Sequence, residues 1–508
     1  MTAVRIVRNA LICDGSGGEP FRGSVAIDGP VIAEVVADGE ISGAKGAEVF
    51  DADGRVLSPG FIDAHSHSDA TLAADPDAFS KRTQGITTEI LGNCGHSLFP
   101  VTGHNAAQVA SDCAAVGLRP EWNDMPGYCD YLERRRPAVN FSVLCGHNAL
   151  CAAYPDVADQ CEALETMLSQ GCPGLSTGLL YAPGRTVPQS DLLRLAAVLK
   201  KPRAIYTTHL RSEGARLLES LDEAMAFASA GGGRLHVRHF KTAGEANWGK
   251  LDAALAKLEQ GRRGGLTVTA DRYPYTYSQT SLSVILPPRY DSMRDREIQA
   301  ALSSDSGECL RLVGELADSL RVKRAVLTAV SKSEYLPYCG MTLEDAASRA
   351  RMASAAEFAV AVLRDDGARA MAAFGGMSPD NLKRILSEPW VCCGTDENAR
   401  PLDESLGRGH PRAFGSFPIF LKMTAELCGL PEAVRRVTSF PASLFGLKRR
   451  GLIRPGYFAD LTVFDPAELG CRADFAHPHV PADGIIRVYV NGEPTDGGIR
   501  AGRSLVGV

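Results

Sequence analysis

The chain has 508 residues, 45% of them hydrophobic and 22% charged, with a formal net charge of −6. That length exceeds what one simple core organises, so two or three structural units are expected, one of them large enough for a barrel. Lysines and arginines are scattered, and no run of about 18 apolar residues occurs, so neither a nucleic acid nor a membrane is an expected partner; a small molecule is.

The N-terminus, "MTAVRIVRNALICDG", alternates like a strand and then turns, without the apolar core and cleavage site of a signal peptide. Fourteen cysteines show no CxxC pairs or regular spacing, and Cys145, Cys392 and Cys393 sit in apolar runs. Reduced thiols in a cytoplasmic protein are the expectation. Residues 1–56 read as short strands and turns, and 452–508 behave alike in "YFADLTVFDP" and "GIIRVYVNGEPT". Both ends together predict a small β-sandwich domain.

Between them, over 57–451, strand-like runs alternate with helical patterns, which predicts repeated βα units. Candidate strands cover 56–63, 86–91, 141–146, 173–177, 204–209, 234–239, 265–271 and 390–395. Eight of them suggest an α/β fold of the (β/α)8 TIM type, whose chemistry sits at the C-terminal ends of the strands. The helix-rich interval 289–345, between strands seven and eight, is longer than a connection needs and reads as an inserted subdomain or lid.

The polar residues that follow these strands form a narrow set. His65 and His67 follow the first, Cys94 the second, His209 the fifth, His239 the sixth and Asp396 the eighth. With strand periodicity, both imidazoles of "FIDAHSHSDA" point the same way. Each residue has an ordinary reading alone: a hydrogen-bonded histidine, a buried thiol, a helix cap. Only eleven histidines occur in the chain, however, and four of them fall at these strand ends. Imidazoles, a thiol and a carboxylate on one rim form a ligand set suited to zinc.

These segments resemble the amidohydrolase superfamily, and within it the D-aminoacylase (N-acyl-D-amino-acid deacylase) family. The likeness runs through "SPGFIDAHSHSD", "GITTEILGNCGHS", "GLSTGLLYAPGRT", "THLRSEG", "HFKTAG", "DRYPYT", "GTDENA", "HPRAFGSFP" and "GLIRPGYFADLTVFDP". It implies a zinc ion held tightly by Cys94, His209 and His239, and a second, weaker position at His65, His67 and Asp396. Many binuclear relatives use a carboxylated lysine near the end of strand four; "GCPGLSTGL" has none, and Cys94 takes its place. Two segments depart from the family pattern. His96 stands where an apolar residue is usual, either as a hydrogen-bond partner beside Cys94 or as a rim residue, and Asp396-Glu-Asn-Ala-Arg400 differs from the usual sequence, with a longer spacer before "HPR".

The reaction so implied is hydrolysis of an N-acyl-D-amino acid to a carboxylate and a free D-amino acid, with Asp396 as the general base and acid. Lys241 and Arg412 can hold the substrate carboxylate, and Tyr275 and Ser281 match family positions that contact substrate. His147, after strand three, faces the same rim and is not expected to be a ligand. A cyclic-amide or dipeptide hydrolase and an inactive structural oligomer are the alternative readings; the sequence leaves a homo-oligomer open.

Overall fold

The computed structural model describes residues 4–39, 41, 46–201, 203–290, 293, 295–366 and 370–507. Strands from both ends of the chain share one sheet. Its order is Glu493–Pro494, Ile485–Val490, Leu461–Phe464, Val56–Pro59, Val4–Ile12, Phe21–Asp28 and Val31–Ala37, and Glu48–Asp51 also pairs with Val4–Ile12. The two ends meet where Leu461–Phe464 runs antiparallel to Val56–Pro59. Val7, Ile12, Val25, Ile27, Leu57, Leu461 and Val463 are all buried in one core there.

The apolar run at 56–63 is not one strand. It breaks at Gly60, so that Val56–Pro59 stays in the terminal sheet and Phe61–Asp63 enters the barrel. Pro59 has no N–H to continue a ladder, and a Cβ on Gly60 would lie 2.2 Å from Thr87 Oγ1. The Pro-Gly pair lets the chain pass between two sheets at close quarters.

The barrel strands are β1 (Phe61–Asp63), β2 (Ile86–Leu91), β3 (Asn140–Val143, resumed as Cys145–Gly146), β4 (Gly174–Gly178), β5 (Ile205–His209), β6 (Arg234–Val237), β7 (Thr267–Asp271) and β8 (Val391–Cys392). Each pairs in parallel with the next. Beyond β8 the chain returns to β1: Asp396 N–H donates to His65 O at 2.8 Å and His67 N–H to Glu397 O at 3.2 Å. Between β7 and β8 the chain builds a separate core around Leu282, Leu302, Leu312, Leu327 and Phe358. It carries helices and a three-stranded antiparallel sheet of Ser278–Ser281, Met371–Phe374 and Val326–Ala329.

The closure of β8 on β1 is held by a buried charge. Lys81, on the short helix Phe79–Arg82, places its ammonium 2.8 Å from Asp63 Oδ2, 3.0 Å from Glu89 Oε1 and 2.8 Å from Thr395 Oγ1. Burial disfavours the ammonium, but the two carboxylates more than offset this and raise its pKa. One side chain thereby ties β1, β2 and the segment after β8 together. Lys81→Met strands both carboxylates and should lower stability by about 3–5 kcal/mol. Denaturant unfolding against wild type measures it, and a loss below about 1 kcal/mol would show the network to be dispensable.

Candidate active site

The strand ends deliver their polar residues through tight turns. Cys94, His239 and Asp396 have φ of 53°, 37° and 52°, a left-handed conformation that costs a non-glycine residue about 1–3 kcal/mol. His239 and Lys241 therefore lie beyond β6, which ends at Val237, and not on a strand reaching 239. Around Cys94 the chain needs glycine: Gly92 and Gly95 have φ of 74° and 81°, and a Cβ on Gly92 would meet Leu144 O at 2.1 Å. Asn93 pins this loop to the histidine segment by donating to Ser66 O at 2.9 Å and Ile90 O at 2.7 Å.

The ligand atoms of His65, Cys94, His239 and Asp396 all lie within 4.8 Å of one another. Cys94 Sγ is 3.3 Å from His65 Nε2 and 3.9 Å from His239 Nε2. Asp396 Oδ1 is 3.2 Å from His65 Nε2 and 3.1 Å from His67 Nε2, and His209 Nδ1 is 2.8 Å from His239 Nε2. Thus all six residues expected as ligands form one connected cluster.

Carboxylates behind the imidazoles aim them. Asp271, the last residue of β7, accepts from His65 Nδ1 at 3.0 Å and from the His239 N–H at 2.8 Å through Oδ1. Its Oδ2 takes His236 Nε2 and Arg238 Nη1, both at 3.0 Å. Glu213 Oε1 lies 2.7 Å from His239 Nδ1. With their Nδ1 atoms so engaged, His65 and His239 turn Nε2 to the centre, the arrangement of a metal-binding histidine backed by a carboxylate. Burial lowers the His65 pKa to about 3 against the pull of Asp271 and Asp396, leaving a neutral, ligand-competent ring. His209 Nε2 is buried with no hydrogen-bond partner among the described residues. A thiol, imidazoles and a carboxylate converging inside a few ångströms fit a metal ion.

Arg412 and Lys241 join the cluster as its cations. Arg412 Nη1 is 2.9 Å from Asp396 Oδ2, and its guanidinium lies 4.6 Å over the Tyr273 ring. Burial would raise the Asp396 pKa, but Arg412, with His65, His67 and His239, reverses this and holds it well below the usual carboxylate range. Lys241 Nζ contacts Glu213 Oε1 and stands 2.8 Å from His239 Nδ1. Tyr275 and Ser281 have other contacts: the Tyr275 ring packs 5.2 Å from His410, and Ser281 Oγ lies 2.7 Å from Ser283 Oγ. Their neighbours reach inward, Gln279 Nε2 to Glu397 Oε1 at 3.1 Å and Thr280 to the Tyr181 hydroxyl.

Asp271, Glu213 and Tyr181 were not expected from the sequence. Asp271 carries the same strand-end signal as the ligands; Glu213, four residues past His209, lies in a loop with no periodicity. Tyr181 packs edge-on to His209 at 4.9 Å, with the His96 ring 5.9 Å from its own. His96 is thus an exposed rim residue. His147 is turned to Cys151 Sγ at 3.3 Å.

A family model described as "Amidohydrolase family" matches residues 48–154 and 340–496. The chain belongs to the amidohydrolase family, in its D-aminoacylase branch. It is 34% identical to an N-acyl-D-glutamate deacylase of Alcaligenes xylosoxydans xylosoxydans over 503 residues, 96% of this chain and 92% of the relative. A D-aminoacylase of the same organism is 30% identical, covering 96% and 93%. Among solved structures, the N-acyl-D-glutamate deacylase of Bordetella bronchiseptica, complexed with zinc and a phosphonate inhibitor that mimics the tetrahedral intermediate, superposes with a TM-score of 0.82 at 30% identity, over 100% of both chains. The enzyme is accordingly metal-dependent. Asp271→Asn should weaken metal binding about 10- to 100-fold, because it removes the charge and one of the two acceptor oxygens that aim His65 and hold His236 and Arg238. Competition with a chelator measures this, and unchanged affinity would show that Asp271 does not orient the ligands.

Proposed function

We propose that this amidohydrolase hydrolyses the amide bond of N-acyl-D-amino acids, giving a carboxylate and a free D-amino acid. The supporting observation is the convergence of His65, Cys94, His239 and Asp396 within 4.8 Å, with Arg412 and Lys241 beside them, on a chain that matches deacylases over 96% of its length. We take the metal to be zinc, one ion at Cys94, His209 and His239 and a second, weaker one at His65, His67 and Asp396; the soft thiol in the first set supports the difference in affinity. Zinc at such a site supplies an acidified water and a Lewis acid for the carbonyl.

The chain's own residues do the rest. Asp396, kept ionised by Arg412, takes the proton of the attacking water and passes it to the leaving nitrogen, which is otherwise a poor leaving group. Tyr181, whose phenol burial keeps protonated beside His209, is a hydrogen-bond donor for charge that develops on the carbonyl oxygen. Lys241 and Arg412 meet the substrate carboxylate. We assign Tyr275 and Ser281 to substrate contact as well, on the segment that sends Gln279 and Thr280 toward Glu397 and Tyr181.

We further assign residues 1–56 with 452–508 to a terminal β domain, 57–451 to the catalytic barrel and 289–345 to an insertion or lid. The pairing of Leu461–Phe464 with Val56–Pro59 carries the terminal domain on to Pro59, and the separate core between β7 and β8, which runs from Leu282 to Phe374, extends the insertion on both sides. Among the described residues no helix is long and apolar enough to cross a membrane. We place the protein in the cytoplasm on its fourteen free thiols.

Turnover of N-acetyl-D-amino acids, their L-enantiomers, hydantoins and dipeptides tests the reading. Release of the D-amino acid, abolished by a chelator and restored by zinc, is expected; exclusive ring opening, L-preference, or no turnover with stoichiometric zinc would each overturn it. Asp396→Asn should retain the thiol-containing metal site yet lose at least about 100-fold in kcat, since a general base contributes about 10²–10⁴-fold. Near-normal kcat would remove Asp396 from the proton transfer.

A further inference from the structure

Glu213 is outside the expected ligand set, yet its carboxylate faces two members of it, His239 and His209, and the Lys241 ammonium. It follows His209 by four residues and turns its carboxylate back under two histidines. Oε1 lies 2.7 Å from His239 Nδ1 and also accepts the Lys241 ammonium, while Oε2 is 3.9 Å from His209 Nε2. Lys241 Nζ stands 2.8 Å from the same His239 Nδ1. One ring nitrogen thus faces a carboxylate and an ammonium together.

Hydrogen-bond inventory decides which contact survives in the metal-bound state. An imidazole that ligates through Nε2 carries its proton on Nδ1. That N–H can donate to Glu213. Lys241 has three N–H donors and no acceptor, so it cannot keep a hydrogen bond to a protonated Nδ1. Its ammonium then stays with Glu213 through one N–H and has the others to offer to an anion. The surrounding loop does not rely on the Glu213 side chain: Ala243 N–H donates to Glu213 O at 2.7 Å, and Arg211 is bound to Glu223 at 2.9 Å.

We propose that Glu213 is a positioning residue that couples metal to substrate: it fixes His239 with Nε2 turned to the metal, and it holds the Lys241 ammonium where a substrate carboxylate meets it. The second half rests on the deacylase reading above, and the first does not.

The test compares wild type, Glu213→Gln, Lys241→Met and Glu223→Gln, with zinc affinity read by chelator competition and with kcat and KM for an N-acetyl-D-amino acid at saturating zinc. Glu213→Gln should weaken zinc about 10- to 100-fold. It should also raise KM by about tenfold or more through the loss of a charged hydrogen bond. Lys241→Met should raise KM similarly and leave zinc affinity within about threefold, and Glu223→Gln, which breaks a neighbouring ion pair, should change neither. Zinc affinity within about threefold of wild type in folded Glu213→Gln overturns the proposal, and weakened zinc with an unchanged KM overturns its Lys241 half. If Glu213→Gln does not fold, Glu213→Asp replaces it; that variant keeps the charge one methylene short, and unaltered zinc affinity there overturns the proposal equally. Should wild type turn over no N-acyl amino acid, the deacylase reading fails, while the zinc comparison still decides the role of Glu213 toward His239.

Discussion

The barrel mouth depends on one buried carboxylate with four donors. Asp271 receives His65, the His239 N–H, His236 and Arg238, all within 3.0 Å and all removed from solvent. Burial alone would neutralise such a group, but these partners pull its pKa well below the carboxylate range, so a full negative charge sits at the centre of the strand ends. That charge sets the direction of two imidazoles. It also locks β1, β6 and β7 together at the level where the chemistry occurs, so the fold and the site share one constraint. Glu213 repeats the arrangement at the ring of His239, with the Lys241 ammonium paired to it as Arg238 is paired to Asp271.

Backbone strain tells the same story from the other side. Three cluster residues, Cys94, His239 and Asp396, adopt left-handed backbone that side chains other than glycine rarely take. Isolated turns would relax. Here each turn is tied down by neighbours: Asn93 reaches back to Ser66 and Ile90, the His239 N–H is bound to Asp271, and the Asp396 N–H is bound to His65 O. The geometry that brings a thiol, imidazoles and a carboxylate together is therefore imposed by the rim and not by the local propensity of those residues.

What could be read in the sequence follows from this. His65, His67, Cys94, His209, His239 and Asp396 were legible as a set, because each follows an apolar run at a candidate strand end and together they offer imidazoles, a thiol and a carboxylate suited to zinc. Asp271 carries the same signal, but a strand-end aspartate with no histidine partner in sequence does not announce four spatial partners. Glu213 was less visible still, since its contacts to His239 and Lys241 cross from β5 to β6. The break at Gly60 was hidden by a continuous apolar run, although Pro59-Gly60 was the available sign of it. The core between β7 and β8 was seen as helices alone, because the short strands Ser278–Ser281 and Met371–Phe374 are too far apart in the chain for pattern to join them.

The end of β4 is closely covered by the cysteine loop. A Cβ on Gly178 would lie 2.0 Å from Cys94 O, and one on Gly146 would lie 2.6 Å from Gly95 O. The loop 92–95 lies directly against the ends of β3 and β4, and Ser176 fastens it there, its hydroxyl accepting the Gly95 N–H at 3.1 Å and bonding to Gly92 O. A long side chain reaching inward from that strand end and a cysteine loop seated on it compete for the same volume. Glycines in β3 and β4 and glycines on both sides of Asn93-Cys94 thus let the cysteine loop seat on the strand ends.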